Sequence, residues 1–133
     1  MAADGKLEMM IAYPGIRCEE YLPLFGIDFK MKKELRSFSY YGYGPEENYA
    51  DRMCGARLGV FYTSADKNLS QYLIPQECGN REGVRWLKLL NQEGEGLRFC
   101  AEGAPFAASV LPYSAYELEN ALHADELLSL IHI

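Results

Sequence analysis

A chain of 133 residues, 49% apolar and 24% charged, has the size and balance of one globular domain that can bury a core without disulfides or metal. Its formal net charge of -6 opposes binding to nucleic acid or to an anionic membrane, since both select basic patches. No run approaches the ~20 apolar residues of a membrane helix and the first residues carry no signal-peptide core, which implies a soluble, cytoplasmic chain. The four cysteines, at 18, 54, 78 and 100, are scattered, form no Cys-x-x-Cys pair and stand far from His123 and His132 in sequence. They read as free thiols in a reducing compartment rather than as zinc ligands or redox pairs. Ten tyrosines, six phenylalanines and one tryptophan favour strands, and also surfaces that meet sugars or protein partners.

In chain order, Phe25, Ile27, Phe29 and Met31 alternate with Gly26, Asp28, Lys30 and Lys32, the period of two of a strand with one dry face. After a charged turn over 32–36, Ser37–Tyr40 continues that alternation, and Gly42, Gly44 and Pro45 are expected to break it. Further short strands are expected at 58–62, 71–74, 84–90, 97–101 and 106–111. Turns are expected between them at 64–68, 79–83, 91–96 and 102–105. Such punctuation predicts antiparallel sheets in a sandwich or barrel. One helix is predicted: Ser114-Ala115-Tyr116-Glu117 fits a capping box, with Leu118, Ala121 and Leu122 on one face. The apolar stretch 127–133 has no polar cap, which suggests a domain that is cut rather than finished.

Glycoside hydrolysis needs two carboxyl groups across a sugar. Glu46 and Glu47 are adjacent, so on extended backbone they point to opposite faces and do not form such a pair. Glu47, Asn48, Asp51 and Arg52 are better suited to bonding a loop that lacks a ladder partner, with Asp51 or Glu77 pairing Arg52 or Arg81. His123, just past the helix, suits a capping or packing role better than acid catalysis. Trp86, flanked by Val84 and Leu87, reads as core rather than as a sugar platform. Gly94-Glu95-Gly96 reads as a hairpin turn and not a phosphate loop, and no serine has the glycines of a nucleophile elbow.

Two segments carry an order that periodicity does not generate: Tyr-Tyr-Gly-Tyr-Gly-Pro-Glu-Glu-Asn-Tyr-Ala-Asp-Arg at 40–52 and Tyr-Leu-Ile-Pro-Gln-Glu-Cys-Gly-Asn-Arg at 72–81. With Gly-Ala-Arg-Leu-Gly-Val (55–60), Val-Arg-Trp (84–86), Gly-Leu-Arg (96–98), Pro105-Phe106 and Pro112-Tyr113, the chain resembles the C-terminal β domain of bacterial β-galactosidases. The resemblance implies an all-β antiparallel sandwich of the galactose-mutarotase-like type, with residues 1–133 a single partial domain forming about its second half. It implies a non-catalytic piece that shapes the active-site wall and subunit packing, while a separate barrel domain hydrolyses terminal β-galactosides such as lactose. No position matches that family's catalytic glutamates, nor the tryptophan its end domain lends to the galactose wall. The Mg and Na ions of the intact enzyme are implied to lie elsewhere, leaving no catalytic residue, cofactor or metal in this chain.

The motif residues Tyr41, Gly44, Pro45, Glu47, Asn48, Tyr49, Asp51, Arg52, Glu77, Asn80, Arg81 and Trp86 are then structural, with ligand contact a secondary reading. The expected partners are the barrel domain, the β-galactoside in the intact enzyme, and a second copy through unpaired strand edges. Three other readings compete: a stand-alone carbohydrate-binding module, a mutarotase-like epimerase using His123, and a separately encoded small subunit.

Overall fold

The computed structural model describes residues 5–15, 25–122 and 131–132. The fold is all-β and sandwich-like; among the described residues every strand pair is antiparallel and one short α-helix is present. Four strands form the main sheet in the order β3-β2-β5-β6: β2 (Ser37–Gly44), β3 (Arg57–Ser64), β5 (Trp86–Leu90) and β6 (Gly96–Cys100). A two-stranded sheet joins β4 (Arg81–Val84) to β7 (Phe106–Ala108), and a second joins β1 (Lys30–Met31) to β8 (Ile131–His132).

Alternation along β2 decides which side becomes core. Phe38, Tyr40, Gly42 and Gly44 are buried, whereas Ser39, Tyr41 and Tyr43 are partly exposed on the other face. Register carries this division across the sheet. Tyr40 stands opposite Leu87 and Phe61, while Tyr41 stands opposite Trp86 and Val60. Phe38, Tyr40, Leu87 and Leu89 join Val84, Val110 and Ala65 in the larger core. Cys78, Leu111 and Leu118 form a smaller one beside it.

The strand runs through Gly42 and Gly44 rather than breaking there. A side chain at Gly42 would come within 3.1 Å of the Val84 backbone of β4, which crosses this face. At Gly44 it would overlap the Tyr40 hydroxyl and come within 2.9 Å of the Phe61 ring. The glycines are therefore strand positions where other chain atoms occupy the space of a side chain. Gly44 is followed by a cis peptide bond to Pro45.

Other boundaries also move. Of the stretch 25–31 only Lys30–Met31 pairs as strand; Phe25 and Ile27 are exposed, and Phe29 packs on Phe99 with ring centroids 5.2 Å apart. The expected strand at 71–74 is irregular, because Tyr72 alone turns inward while Leu73 and Ile74 face solvent. The expected turn at 79–83 contains the start of β4, and 84–90 divides at Arg85 because β4 and β5 belong to different sheets. The strand over 106–111 stops at Ala108.

Helix α1 (Ala115–Asn120) has the expected reciprocal cap. Ser114 Oγ accepts from the Glu117 N–H, and the Glu117 carboxylate accepts from the Ser114 N–H. Leu118 and Ala121 are buried, but Leu122 lies beyond the helix and is exposed. His123 lies outside the described residues. The 91–96 segment is the hairpin turn between β5 and β6, closed by Asn91 N–H to the Glu95 carbonyl at 2.8 Å.

Candidate functional site

The two long motifs meet at the Pro45 end of β2. Glu47 is the hub: its carboxylate accepts from the Gly79 N–H at 2.7 Å, from Ser70 Oγ at 2.7 Å and from the Tyr72 hydroxyl. Arg52 Nη2 approaches the same carboxylate at 3.4 Å and Arg52 Nη1 donates to the Tyr72 hydroxyl at 3.2 Å. Burial pushes the Glu47 carboxyl up, but the bonds from Tyr72, the Gly79 N–H and Ser70, with the Arg52 charge, outweigh it and hold the group below its usual value. A carboxylate so engaged stays ionised near neutrality and is unsuited to donating a proton to a leaving group. Glu46, beside it, is exposed, in keeping with the opposed directions of adjacent side chains.

Asn48 is buried and ties the loop to β4. Its amide donates to the Tyr43 and Glu46 carbonyls, both at 3.0 Å, and its oxygen accepts from the Glu82 N–H at 2.9 Å. Its backbone N–H donates to the Asn80 carbonyl at 2.9 Å, and Asn80 Nδ2 returns a bond to the Asn48 carbonyl at 2.8 Å. The pair thus stands in for a ladder where regular strand has ended. Tyr49 packs under Arg52, whose guanidinium lies 4.7 Å from the ring centroid. Burial, then the Glu47 charge, raises the Tyr49 phenol well above its ordinary value. The Asn80 backbone offsets part of that rise without meeting hydrogen-bond geometry, so the hydroxyl is buried and unpartnered among the described residues.

Arg81 sits on the core side. Its guanidinium donates to the Tyr40 hydroxyl at 2.8 Å, Asn68 Oδ1 at 2.6 Å, the Gly79 carbonyl at 3.2 Å and the Asn80 carbonyl at 3.0 Å. Asn68 in turn donates to the Gly79 and Val110 carbonyls, and the Tyr40 hydroxyl to the Pro45 carbonyl at 3.3 Å. Gly79 needs its freedom here: φ is +71°, and an added side chain would meet the Asn68 carbonyl oxygen at 2.7 Å.

Ten of the twelve sequence-selected residues therefore fall into two groups. Gly44, Pro45, Glu47, Asn48, Tyr49, Arg52, Asn80 and Arg81 meet at this junction. Tyr41 and Trp86 pair on the outer face of the main sheet, with Arg85 5.2 Å from the Tyr41 ring and Lys88 4.9 Å from Trp86. Asp51 and Glu77 are exposed to solvent. Two expectations are corrected. Trp86 is half-buried on the outer face, because strand alternation sends Leu87 and Leu89 to the core instead. Arg52 and Arg81 bond to Glu47 and to neutral oxygens, not to Asp51 or Glu77, which stay exposed to solvent. Sequence reasoning missed Asn68, Ser70 and Tyr72 as clamp members; only Tyr72, inside a quoted motif, carried a signal.

A shallow open hollow of about 620 Å³ lies along the outer edge of β2 and β3, lined in part by Ser39, Tyr62, Ser64, Lys67 and Lys88. Among the described residues no group of three or more His, Cys, Asp or Glu side chains could hold a metal ion. Nor, among them, is any helix long and apolar enough to cross a membrane.

The two motifs of this all-β, sandwich-like fold are thus joined by a partly buried polar clamp. The chain belongs to the family described as beta galactosidase small chain, which matches residues 1–132. It is 42% identical over 127 residues to a beta-galactosidase of Halalkalibacterium halodurans and 46% identical over 123 residues to one of Lactobacillus delbrueckii subsp. bulgaricus. These alignments cover 93% and 92% of this chain but 12% of each relative, so the chain spans about an eighth of their length. A beta-galactosidase small subunit of Latilactobacillus sakei is 36% identical over 135 residues, covering 94% of this chain and 42% of that subunit.

Proposed function

We propose that this chain is a non-catalytic β-sandwich portion of a β-galactosidase, working with a separate catalytic domain that hydrolyses terminal β-D-galactosides. The observation that carries the reading is the coverage: the family match runs over residues 1–132, yet the same residues amount to 12% of a longer relative. The clamp supports it, because Glu47 is occupied by four donors and Arg81 by neutral acceptors within the fold. In this reading the bond-breaking carboxyls and any metal ions belong to the remaining polypeptide, and this portion supplies shape and packing.

Exposed large side chains fit a piece made to be covered. Met10, Tyr62, Leu73, Ile74 and Tyr116 are all exposed.

The test is replacement. This chain is substituted for the matching segment of the Lactobacillus delbrueckii enzyme, and hydrolysis of a chromogenic galactoside is measured. An active chimera together with an inactive isolated chain is the expected result. Hydrolysis by the isolated chain, abolished by changing one of its own carboxylates, would overturn the proposal.

A further inference from the structure

Among the described residues, no second sheet packs on the outer face of the main sheet. Register places Leu58, Val60 and Tyr62 of β3, Trp86 and Lys88 of β5, and Arg98 of β6 on it, across from the buried core face. Val60 is 48% exposed and Tyr62 81%, values that mark an apolar strip open to solvent along the edge strand β3. Beside it, the Trp86 ring has two cations close by, with Lys88 Nζ 4.9 Å and the Arg98 guanidinium 5.9 Å from its centroid. Arg85 covers Tyr41 on the same face.

The charge on this face is segregated. None of the outward register positions of its four strands is Asp or Glu, whereas Lys88 and Arg98 occupy two of them. In a chain with a net charge of -6, the charged strand positions of this face are thus all cationic. A second copy docking face to face would set Lys88 and Arg98 against cations, which disfavours the self-complementary dimer. The complement is a surface with an apolar centre and carboxylates around it.

Building on the proposed function, we infer that this face docks an acidic-rimmed surface of the rest of the β-galactosidase polypeptide, through the Val60–Tyr62 strip and the Lys88–Trp86–Arg98 stack. The length of the relatives outside the matched segment supplies that partner. Galactoside and second-copy binding are competing occupants.

The chain reports on its own docking. Cys100 lies opposite Trp86 on the outer face and is exposed, while Cys54 is exposed in a loop before β3. Alkylation of each thiol is followed by peptide mass in the isolated chain and in the Lactobacillus delbrueckii chimera, and the Lys88→Glu/Arg98→Glu variant is made in both. Cys100 should react about tenfold more slowly in the chimera, with Cys54 as reference. The double variant should leave urea unfolding of the isolated chain nearly unchanged, yet lower the yield of assembled chimera about tenfold.

Equal Cys100 rates in chain and chimera, or an unchanged yield of variant chimera, overturns the docking. So does protection of Cys100 in the isolated chain on raising its concentration or on adding lactose. An inactive parent chimera with Cys100 protected counts against the proposed function alone. An active parent chimera with Cys100 reactive counts against the docking face alone. Should the chimera not accumulate, the chain mixed with the Lactobacillus delbrueckii enzyme lacking the matched segment gives the same Cys100 reading.

Discussion

Tyr40 and Tyr41 are neighbours on one strand and live in opposite worlds. Tyr40 is fully buried, its hydroxyl held by Arg81 and aimed at the Pro45 carbonyl. Tyr41 faces outward, half-covered by the Arg85 guanidinium. Both carry the same side chain, so the difference lies in what the fold brings to each face. The inner face receives β4, Val110 and a closed hydrogen-bond network, whereas the outer face receives cations over aromatic rings and then solvent. Stability should accordingly reside on the inner face, and association on the outer one.

The widest separation should come from Leu87→Ala set against Trp86→Ala, one residue apart. Leu87 is buried between Tyr40 and Leu89, and its truncation should cost about 2–5 kcal/mol by lost burial and the cavity left behind. Trp86 is the larger side chain, yet its loss should cost only about 1 kcal/mol, because it is partly exposed, lies outside the core cluster and has cations as its partners. Urea unfolding at neutral pH measures both, and equal losses would erase the distinction between the faces. Gly44→Ala comes next, at about 1–3 kcal/mol, since the new methyl must displace the Tyr40 hydroxyl or the Phe61 ring. A neutral outcome would mean that the inner face at the Pro45 end is looser than the packing implies.

The clamp sharpens the comparison through pH. Glu47 has a folded-state pKa held below its unfolded value, so its contribution is fully present above the unfolded carboxylate range. That contribution is lost as pH falls through the folded pKa. Glu47→Gln keeps the shape but accepts fewer charged bonds, so its urea midpoint should fall below that of the parent at neutral pH and converge with it as the medium is acidified. Parallel curves from neutral to acid pH would show that the Glu47 charge is not what ties 70–79 to the loop.

These contrasts also explain what the sequence could and could not disclose. The capping box at Ser114, the hairpin at 91–96 and the main-sheet strands at 37–40, 58–62 and 97–101 were legible because each depends on residues close in sequence. The family was legible because two motifs keep unusual residues in fixed order. The continuation of β2 through Gly42 and Gly44 was not, since what makes glycine necessary there is Val84, some forty residues later, and a ring from Phe61. The Glu47 hub was half-visible for the same reason: Asn48 and Arg52 are local, but Ser70, Tyr72 and Gly79 arrive from a segment that alternation had cast as strand and turn. Trp86 was misplaced because apolar residues nearby, Val84 and Leu87, say nothing about which side of a strand is dry.

The smallest effect is the one that tests the outer face in isolation. Tyr62→Ser removes an 81%-exposed ring from β3, and exposed substitutions away from special contacts usually change stability by no more than about 0.5 kcal/mol. A loss of that size, independent of protein concentration, would leave the outer face as solvent-facing surface in the free chain. A larger loss that grows with protein concentration would mean that copies of the chain already cover Tyr62, and that the cationic rim does not keep them apart. Because Lys88 and Arg98 are charged whatever the apolar strip does, added salt separates the two cases: screening would strengthen such self-association and leave the free face unmoved.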